Sequence, residues 1–79
     1  MIRGEIWFAE VGRKRRPVLV LTRTEVIEVR ALVTVAEVTT SIRGIGAEVE
    51  FDYREAGLDR ASVVNCDGVH TITKTSLTT

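Results

Sequence analysis

The sequence is poor in the residues that build disulfides, metal sites and nucleotide-binding loops. Its 79 residues include one cysteine, Cys66, and one histidine, His70. A single cysteine excludes an intrachain disulfide, and one Cys with one His is too few ligands for a zinc site. No glycine-rich phosphate loop precedes a helical pattern. These absences argue against a metalloenzyme or a nucleotide-driven enzyme, and we expect no cofactor and no metal ion.

Long hydrophobic runs are missing as well. The longest apolar runs, such as Val18 to Leu21, have the length of a buried strand and are far too short to span a bilayer. No charged segment followed by an apolar one opens the chain, so we expect no secretory leader. The sequence therefore predicts a cytoplasmic protein with no membrane role.

The length of the chain limits its stability. We expect one domain that spans residues 1–79. A chain this short buries only about 60–65% of the surface that its unfolded form exposes. Without a disulfide or a metal, the remaining supports are tight packing or a partner subunit. A homodimer is the expected state.

The formal net charge of zero conceals an asymmetry between the two halves. Residues 1–43 carry eight Lys and Arg against five Asp and Glu, whereas residues 44–79 carry three against six. If both halves fold into one barrel, a basic face beside an acidic face would steer a polyanion to one side. A chance distribution of short charged loops explains the same counts.

Valine and threonine dominate the composition and favour strands. Together they supply 22 residues, and β-branched side chains fit a pleated, half-buried surface. No window of helical length shows a hydrophobic stripe with a period of 3.6 residues. The predicted strands cover residues 4–9, 18–21, 31–38, 47–53, 62–66 and 69–72. Several short strands at this spacing predict an all-β protein, a small closed or partly open barrel.

The segments between the strands carry further predictions. Residues 13–16 should form a basic loop, residues 22–25 a turn or short helical piece, and residues 39–46 a loop. Asp67-Gly68 is either a type I′ hairpin turn or a kink within one strand. Within residues 47–53, strict alternation predicts a half-buried strand with one solvated acidic face. That face would consist of Glu48, Glu50 and Asp52.

Two polar segments stand at the ends of predicted buried strands. Arg16-Pro17 begins one strand, and Thr39-Thr40-Ser41 ends another. An arginine suits phosphoryl chemistry, because its planar, permanently charged fork can bridge two phosphate oxygens. A solubilising residue at a sheet edge and ordinary turn chemistry are the alternatives for the two segments.

Four blocks of the sequence resemble a known family. In order and spacing, RGEIWFAEVG, RRPVLVLT, VTVAEVTTSIRG and LDRASVVNCDGVHTITKTSLT are similar to the successive blocks of MazF/PemK-like toxins. The resemblance implies a homodimeric, SH3-like β-barrel that lacks the family's usual C-terminal helix, in a shortened or C-terminally truncated member. It also implies the toxin of a type II toxin–antitoxin system, which cleaves single-stranded RNA and is silenced by an antitoxin with an acidic segment.

The same resemblance assigns roles to residues. The family's catalytic arginine falls on Arg16, and its catalytic threonine falls on Thr39. It implies attack by the RNA's own 2′-hydroxyl on the adjacent phosphate, which leaves a 2′,3′-cyclic phosphate and a 5′-hydroxyl. Arg16 would stabilise the pentavalent anion, and Thr39 would hydrogen-bond the phosphate or a nearby group. The first loop is shorter here than in many relatives, so the cleavage motif does not transfer.

Further residues are candidates for contacts with RNA. The clustered cations Arg13, Lys14 and Arg15 suit phosphates, although a solvated loop is an alternative. Thr40, Ser41 and Arg43 would contribute from the opposite rim. His70 is a candidate RNA contact first and an acid or base second. Trp7 would stack a base or belong to the core or the dimer interface, and we expect Cys66 to be a small buried residue.

Two other functions fit an SH3-like barrel of this kind. One is a toxin that acts by binding, as the CcdB-like gyrase poisons do, in which the Arg-Pro block would have no role. The other is an inactive module that only sequesters an antitoxin. Incubation with labelled RNA, with and without a chelator, separates the three.

Overall fold

The computed structural model describes residues 1–11 and 14–78, with Val11 described for its backbone alone. Its strands are β1 (Ile6–Val11), β2 (Lys14–Val20), β3 (Leu32–Thr39), β4 (Glu48–Glu50), β5 (Val63–Thr73) and β6 (Leu77–Thr78). The helix α1 (Thr24–Ile27) follows β2, and a 3₁₀ turn, Lys74–Ser76, precedes β6. Within the described part of the chain, no helix is long and apolar enough to cross a membrane.

The six strands form one antiparallel sheet in the order β4-β5-β3-β2-β1-β6. The strands β5, β3, β2 and β1 lie in its interior. For β2 and β3 this was expected, because residues 18–21 and 31–38 are apolar on both parities. The all-β prediction is confirmed, and no long helix follows β6 among the described residues.

Hydrophobic residues cover both faces of the sheet. On the face that we call the front, Val18 and Val20 of β2 lie beside Val33 and Val35 of β3, and all four are buried together with Ile27 of α1. On the back face, buried residues from β3 and β5 pack against half-buried side chains from the loop after β4; they are Ala36, Val38, Val64, Phe51 and Leu58. The sheet therefore separates two small cores.

Trp7 belongs to the front core and not to an exposed stacking surface. Its ring is half-buried against that core, and its indole Nε1–H donates to Oε1 of Glu5 at 3.2 Å. The same carboxylate accepts the backbone N–H of Ile2 at 2.5 Å. The tryptophan thus fastens the N-terminal segment to the sheet.

The predicted basic loop is wrong for the residues that the structure describes. Lys14, Arg15 and Arg16 are the first three residues of β2, where they lie opposite Val11, Glu10 and Ala9 of β1. The cross-strand pair of Glu10 with Arg15 brings opposite charges together, which favours pairing over a loop. Arg13, the other residue of that loop with a predicted site role, lies outside the described residues.

The predicted strand over residues 47–53 is also shorter than expected. Only Glu48–Glu50 pairs with β5, and the chain then leaves the sheet so that Phe51 can pack on the back core. A turn follows, in which the N–H of Leu58 donates to the carbonyl of Tyr53 at 2.8 Å and Gly57 has a φ of +86°. The packing of Phe51 on the back core thus ends the strand earlier than the alternating pattern of the sequence predicts.

Of the two alternatives for Asp67-Gly68, the kink within one strand is the one observed. β5 runs without interruption from Val63 to Thr73, and its pairing with β3 shifts between Ala36 and Glu37. Ala36 lies opposite Val69 but Glu37 lies opposite Asn65, so three residues of β5 bulge out of the ladder. Cys66 belongs to this bulge and is exposed, so its predicted burial is wrong.

Candidate functional site

Arg16 and Thr39 lie at neighbouring strand ends. In the pairing of β2 with β3, Val18 is opposite Glu37. When this register is continued by two residues on each strand, Arg16 comes opposite Thr39. Both residues lie just beyond the last paired residues of β2 and β3. Because alternate residues of a strand share a face, both follow the buried valines on the front face. The front core ends there, and a polar surface begins.

The side chain of Arg16 is available to a ligand. It is exposed, and its guanidinium forms no hydrogen bond or ion pair with another described residue. Its neighbour across the pair is Ala9, whose methyl group is buried in the front core. The guanidinium carries a permanent charge and five N–H donors, so it offers an anion a bidentate contact.

The hydroxyl of Thr39 has a defined hydrogen-bonding role. Its Oγ1 accepts a hydrogen bond from the backbone N–H of Ser41 at 3.0 Å. This turn uses one lone pair of the hydroxyl and leaves its hydrogen free to donate. Thr39 therefore presents a hydrogen-bond donor beside the charge of Arg16, a combination suited to phosphate oxygens.

Glu48 fixes the loop that follows Thr39. Its carboxylate accepts the backbone N–H of Arg43 at 3.0 Å and that of Gly44 at 2.8 Å, and Gly44 has a φ of +73°. The side chain of Glu48 is only 4% exposed, so the prediction of a solvated acidic face is wrong for this residue. The guanidinium of Arg43 is 60% exposed, with its Nε 3.7 Å from Glu48.

The environment of Glu48 also shifts its acidity. Burial raises the pKa of this carboxyl, but the backbone N–H groups of Arg43 and Gly44, with help from Ile45 and the Arg43 guanidinium, act in the opposite direction. The hydrogen bonds and the Arg43 charge together outweigh the effect of burial and hold the pKa of Glu48 below its ordinary value of 4.5. The carboxylate is therefore charged at neutral pH, where it anchors the loop.

The other predicted contacts divide between the two faces of the sheet. Lys14 shares the front face with Arg16, because the two residues are two positions apart along β2. Arg15 lies on the back face, where its guanidinium stacks 4.4 Å from the centre of the Phe8 ring and donates to Oγ1 of Thr78 at 3.2 Å. Thr40 lines a back-face pocket of about 420 Å³ with Phe8 and Pro17. The structure therefore does not bring Arg15 and Thr40 to the front-face site.

His70 lies on β5 and contacts a residue that the sequence analysis did not single out. It is opposite Val35, and its Nε2 lies 3.2 Å from Oε1 of Glu37. Glu37 shares the front face with Thr39. The sequence contained a sign that Glu37 is a site residue, since it is the one charged residue within β3. Its contact with His70 was not foreseeable, because the bulge in β5 determines which residue of β5 lies opposite each residue of β3.

No group of three or more His, Cys, Asp or Glu that could hold a metal ion occurs within residues 1–11 and 14–78. The site instead consists of cations and hydroxyl groups on one face of a small sheet. These residues define a small all-β protein with a surface whose chemistry is suited to phosphate groups.

The comparisons with known proteins identify the family. A family model described as PemK-like, MazF-like toxin of type II toxin-antitoxin system matches residues 2–79. The chain therefore belongs to this family of toxins.

Relatives with established names support this membership. The Mycobacterium tuberculosis protein named probable endoribonuclease MazF2 is 41% identical over 76 residues, which cover 96% of this chain and 74% of the relative. The solved structure of M. tuberculosis toxin MazF-mt6 superposes with a TM-score of 0.88 at 41% identity, over 95% of this chain and 74% of that one.

A second solved structure supports the fold. It is titled endoribonuclease in complex with its cognate antitoxin, from a mycobacterial species, and has a TM-score of 0.85 at 24% identity. The match covers all of this chain and 74% of that one.

Acidification should release residues 43 and 44 from Glu48. Because the pKa of Glu48 is lowered in the folded protein, its carboxylate stabilises the fold above about pH 4.5, and this contribution is lost as the pH falls through the lower value. We expect the amide protons of Arg43 and Gly44 to titrate together by NMR, with a midpoint below 4.5.

Two variants control this titration. Glu48→Gln should abolish it. The pKa of Glu5 is also lowered, by hydrogen bonds from the Trp7 indole and the Ile2 amide, but Glu5 does not contact this loop, so Glu5→Gln should leave the titration unchanged. A midpoint above 4.5, or an unaltered titration in Glu48→Gln, would show that the carboxylate does not anchor the loop.

Proposed function

We propose that this toxin is an endoribonuclease that cleaves single-stranded RNA, messenger RNA included, and thereby inhibits translation and growth. One observation supports it most: Arg16 and Thr39 share the end of the front face, with a guanidinium unpaired among the described residues and a hydroxyl hydrogen free to donate. A phosphate between them would meet a permanent charge and a neutral donor. The name of the relative MazF2, probable endoribonuclease, agrees with this activity.

The proposed reaction is an internal transesterification. The 2′-hydroxyl oxygen attacks the adjacent phosphorus, the bond from phosphorus to the 5′-oxygen breaks, and the proton lost at the 2′-oxygen is balanced by one gained at the 5′-oxygen. The products are a 2′,3′-cyclic phosphate and a 5′-hydroxyl. Because the nucleophile belongs to the RNA, the reaction needs neither an activated water nor a metal ion to generate one.

Arg16 and Thr39 have different roles in this reaction. Arg16 stabilises the negative charge that builds on the phosphoryl oxygens, and it cannot act as the base, because a guanidinium stays protonated in proteins. Thr39 donates its hydroxyl hydrogen to a phosphoryl oxygen, since Ser41 already uses the hydroxyl as an acceptor. The sheet fixes the backbone positions of both residues before the substrate arrives, which lowers the cost of bringing the two groups together.

Lys14, Ser41 and Arg43 are the proposed contacts to flanking nucleotides. Lys14 extends the cationic N-terminal end of β2 on the front face, and Arg43 projects from the loop that Glu48 fixes. Such contacts track a backbone and give a salt-dependent affinity. Selection of a short sequence motif would then depend on the loop of residues 40–47, whose shape Glu48 sets.

We further propose a cytoplasmic homodimer that is neutralised by an antitoxin. Exposed large hydrophobic side chains, among them Val29, Leu32 and Val69, provide apolar surface for a second subunit, which light scattering at micromolar concentration would detect. The antitoxin would lay an acidic segment along Lys14 and Arg16 and exclude RNA by competition. Its affinity should fall with salt. A partner that binds beside Glu50 and Asp52 and leaves RNA binding intact would contradict this competition.

Cleavage of a single-stranded RNA should persist in excess EDTA and should leave 2′,3′-cyclic phosphate ends. No metal ion is needed, because the 2′-hydroxyl is the nucleophile and Arg16 supplies the positive charge that stabilises the phosphoryl oxygens. The measurement is gel analysis of a labelled oligonucleotide, with end groups assigned by mass spectrometry and a matching oligonucleotide with a 2′-deoxy position as control. Loss of activity in EDTA with recovery on addition of magnesium, or products with a 5′-phosphate, would refute the mechanism.

Arg16→Lys should reduce single-turnover cleavage about 100-fold or more, while RNA binding stays nearly unchanged. The substitution keeps the charge but removes the planar fork, and loss of one preorganised donor costs about this much. Arg15→Lys is the matched control, because it makes the same change one residue away on the back face, and it should cleave at close to the wild-type rate. Equal effects of the two substitutions would reduce Arg16 to a general phosphate contact.

A further inference from the structure

Glu37 is placed where it could neutralise the proposed catalytic arginine. It lies opposite Val18 in the pairing of β2 with β3, two residues from the level of Arg16 and on the same face. Diagonal neighbours of this kind have Cα atoms roughly 7–8 Å apart, within the reach of long side chains. An ion pair between Glu37 and Arg16 would occupy the guanidinium and place a negative charge beside the phosphate.

The structure directs the carboxylate of Glu37 to the other side. Its Oε1 lies 3.2 Å from Nε2 of His70, on the strand that flanks β3 opposite to β2. The two side chains are partly exposed, 32% for Glu37 and 45% for His70, so this contact is on the surface and can exchange for another. Among the described residues, Glu37 forms no ion pair with Arg16.

Gly68 provides the space for this arrangement. A Cβ at residue 68 would overlap Oε2 of Glu37 and would lie 3.0 Å from its Cδ and 3.2 Å from its Cγ. The φ of Gly68 is not in the left-handed region, so the backbone conformation does not require glycine there. The absent side chain serves the carboxylate, which lies against the bulge of β5.

We propose that His70 is a positioning residue that holds the Glu37 carboxylate against Gly68 and away from Arg16. The proposal rests on the endoribonuclease function proposed above. The 3.2 Å contact between Nε2 of His70 and Oε1 of Glu37 keeps the carboxylate on the side of β5. The arrangement keeps the guanidinium of Arg16 free while a carboxylate is present on the same surface.

A role for His70 as the catalytic base fits the geometry less well. Its Nε2 is already engaged by Glu37, and Glu37 lies between His70 and the pair of Arg16 and Thr39. The two roles also predict different magnitudes. Loss of a general acid or base costs about 10²- to 10⁴-fold in rate, whereas an exposed ion pair is weak enough to block Arg16 only partly.

The test is a double-mutant cycle on His70 and Glu37. His70→Ala should weaken binding of a 2′-O-methyl RNA, which cannot be cleaved, and lower single-turnover cleavage at subsaturating RNA, each about fivefold, because Glu37 then turns to Arg16. Adding Glu37→Gln should restore both quantities to within about twofold of wild type. The control is the double variant of His70→Ala with Glu10→Gln. It has the same formal charge as the variant with Glu37→Gln but alters the back face, so binding and cleavage should not recover.

Each outcome decides between the alternatives. A 100-fold loss that Glu37→Gln does not restore would make His70 a catalytic base and overturn the proposal. No loss in His70→Ala would overturn it too, as would recovery in the Glu10 control. The NMR signal of the Arg16 Nε–H, which should shift in His70→Ala and return in the double variant, tests the positioning without cleavage. If the wild-type protein cleaves no RNA, the proposed function is refuted. The NMR signal of the Arg16 Nε–H still tests whether His70 keeps Glu37 away from Arg16.

Discussion

The pairing of β2 with β3 is the constraint on which the site depends. It buries Val18, Val20 and Val35 on the front face, and the same register carries Arg16 and Thr39 to one end of that face. A slip by one residue would turn every side chain of β2 to the opposite face. Each buried valine stabilises the fold by roughly 1.5–3 kcal/mol, while a domain of this size has a net stability of about 4–12 kcal/mol. The slipped register is therefore not accessible, and the hydrophobic core fixes the geometry of the polar site.

Short-range hydrogen bonds organise the rim of the site once the register is set. Thr39 accepts the N–H of Ser41, and Glu48 accepts those of Arg43 and Gly44, so two side chains satisfy the backbone of the loop between β3 and β4. The guanidinium of Arg43 remains mostly exposed. Backbone polarity is thus satisfied within the protein, and the positive charge of the rim is left for a ligand.

The sequence predicts the sheet better than the details of the site. The runs of β-branched residues locate β3, the second half of β2 and the first residues of β5, because hydrophobic burial determines these segments and can be recognised locally. Residues 14–16 and Glu48 were misjudged, since pairing with β1 and hydrogen bonds from a neighbouring loop are not visible in hydrophobic patterning. The contact of Glu37 with His70 depends on a bulge that shifts the register of β5 by three residues, and no local pattern encodes such a shift.

The two arginines near the start of β2 point to opposite sides of the sheet, Arg15 towards Phe8 and Arg16 towards the site. The contact with Phe8 and Thr78 uses the guanidinium of Arg15 inside the protein, whereas the guanidinium of Arg16 faces outward. Two chemically identical neighbours are thus divided by the pleat of one strand into a structural residue and a residue available to a ligand.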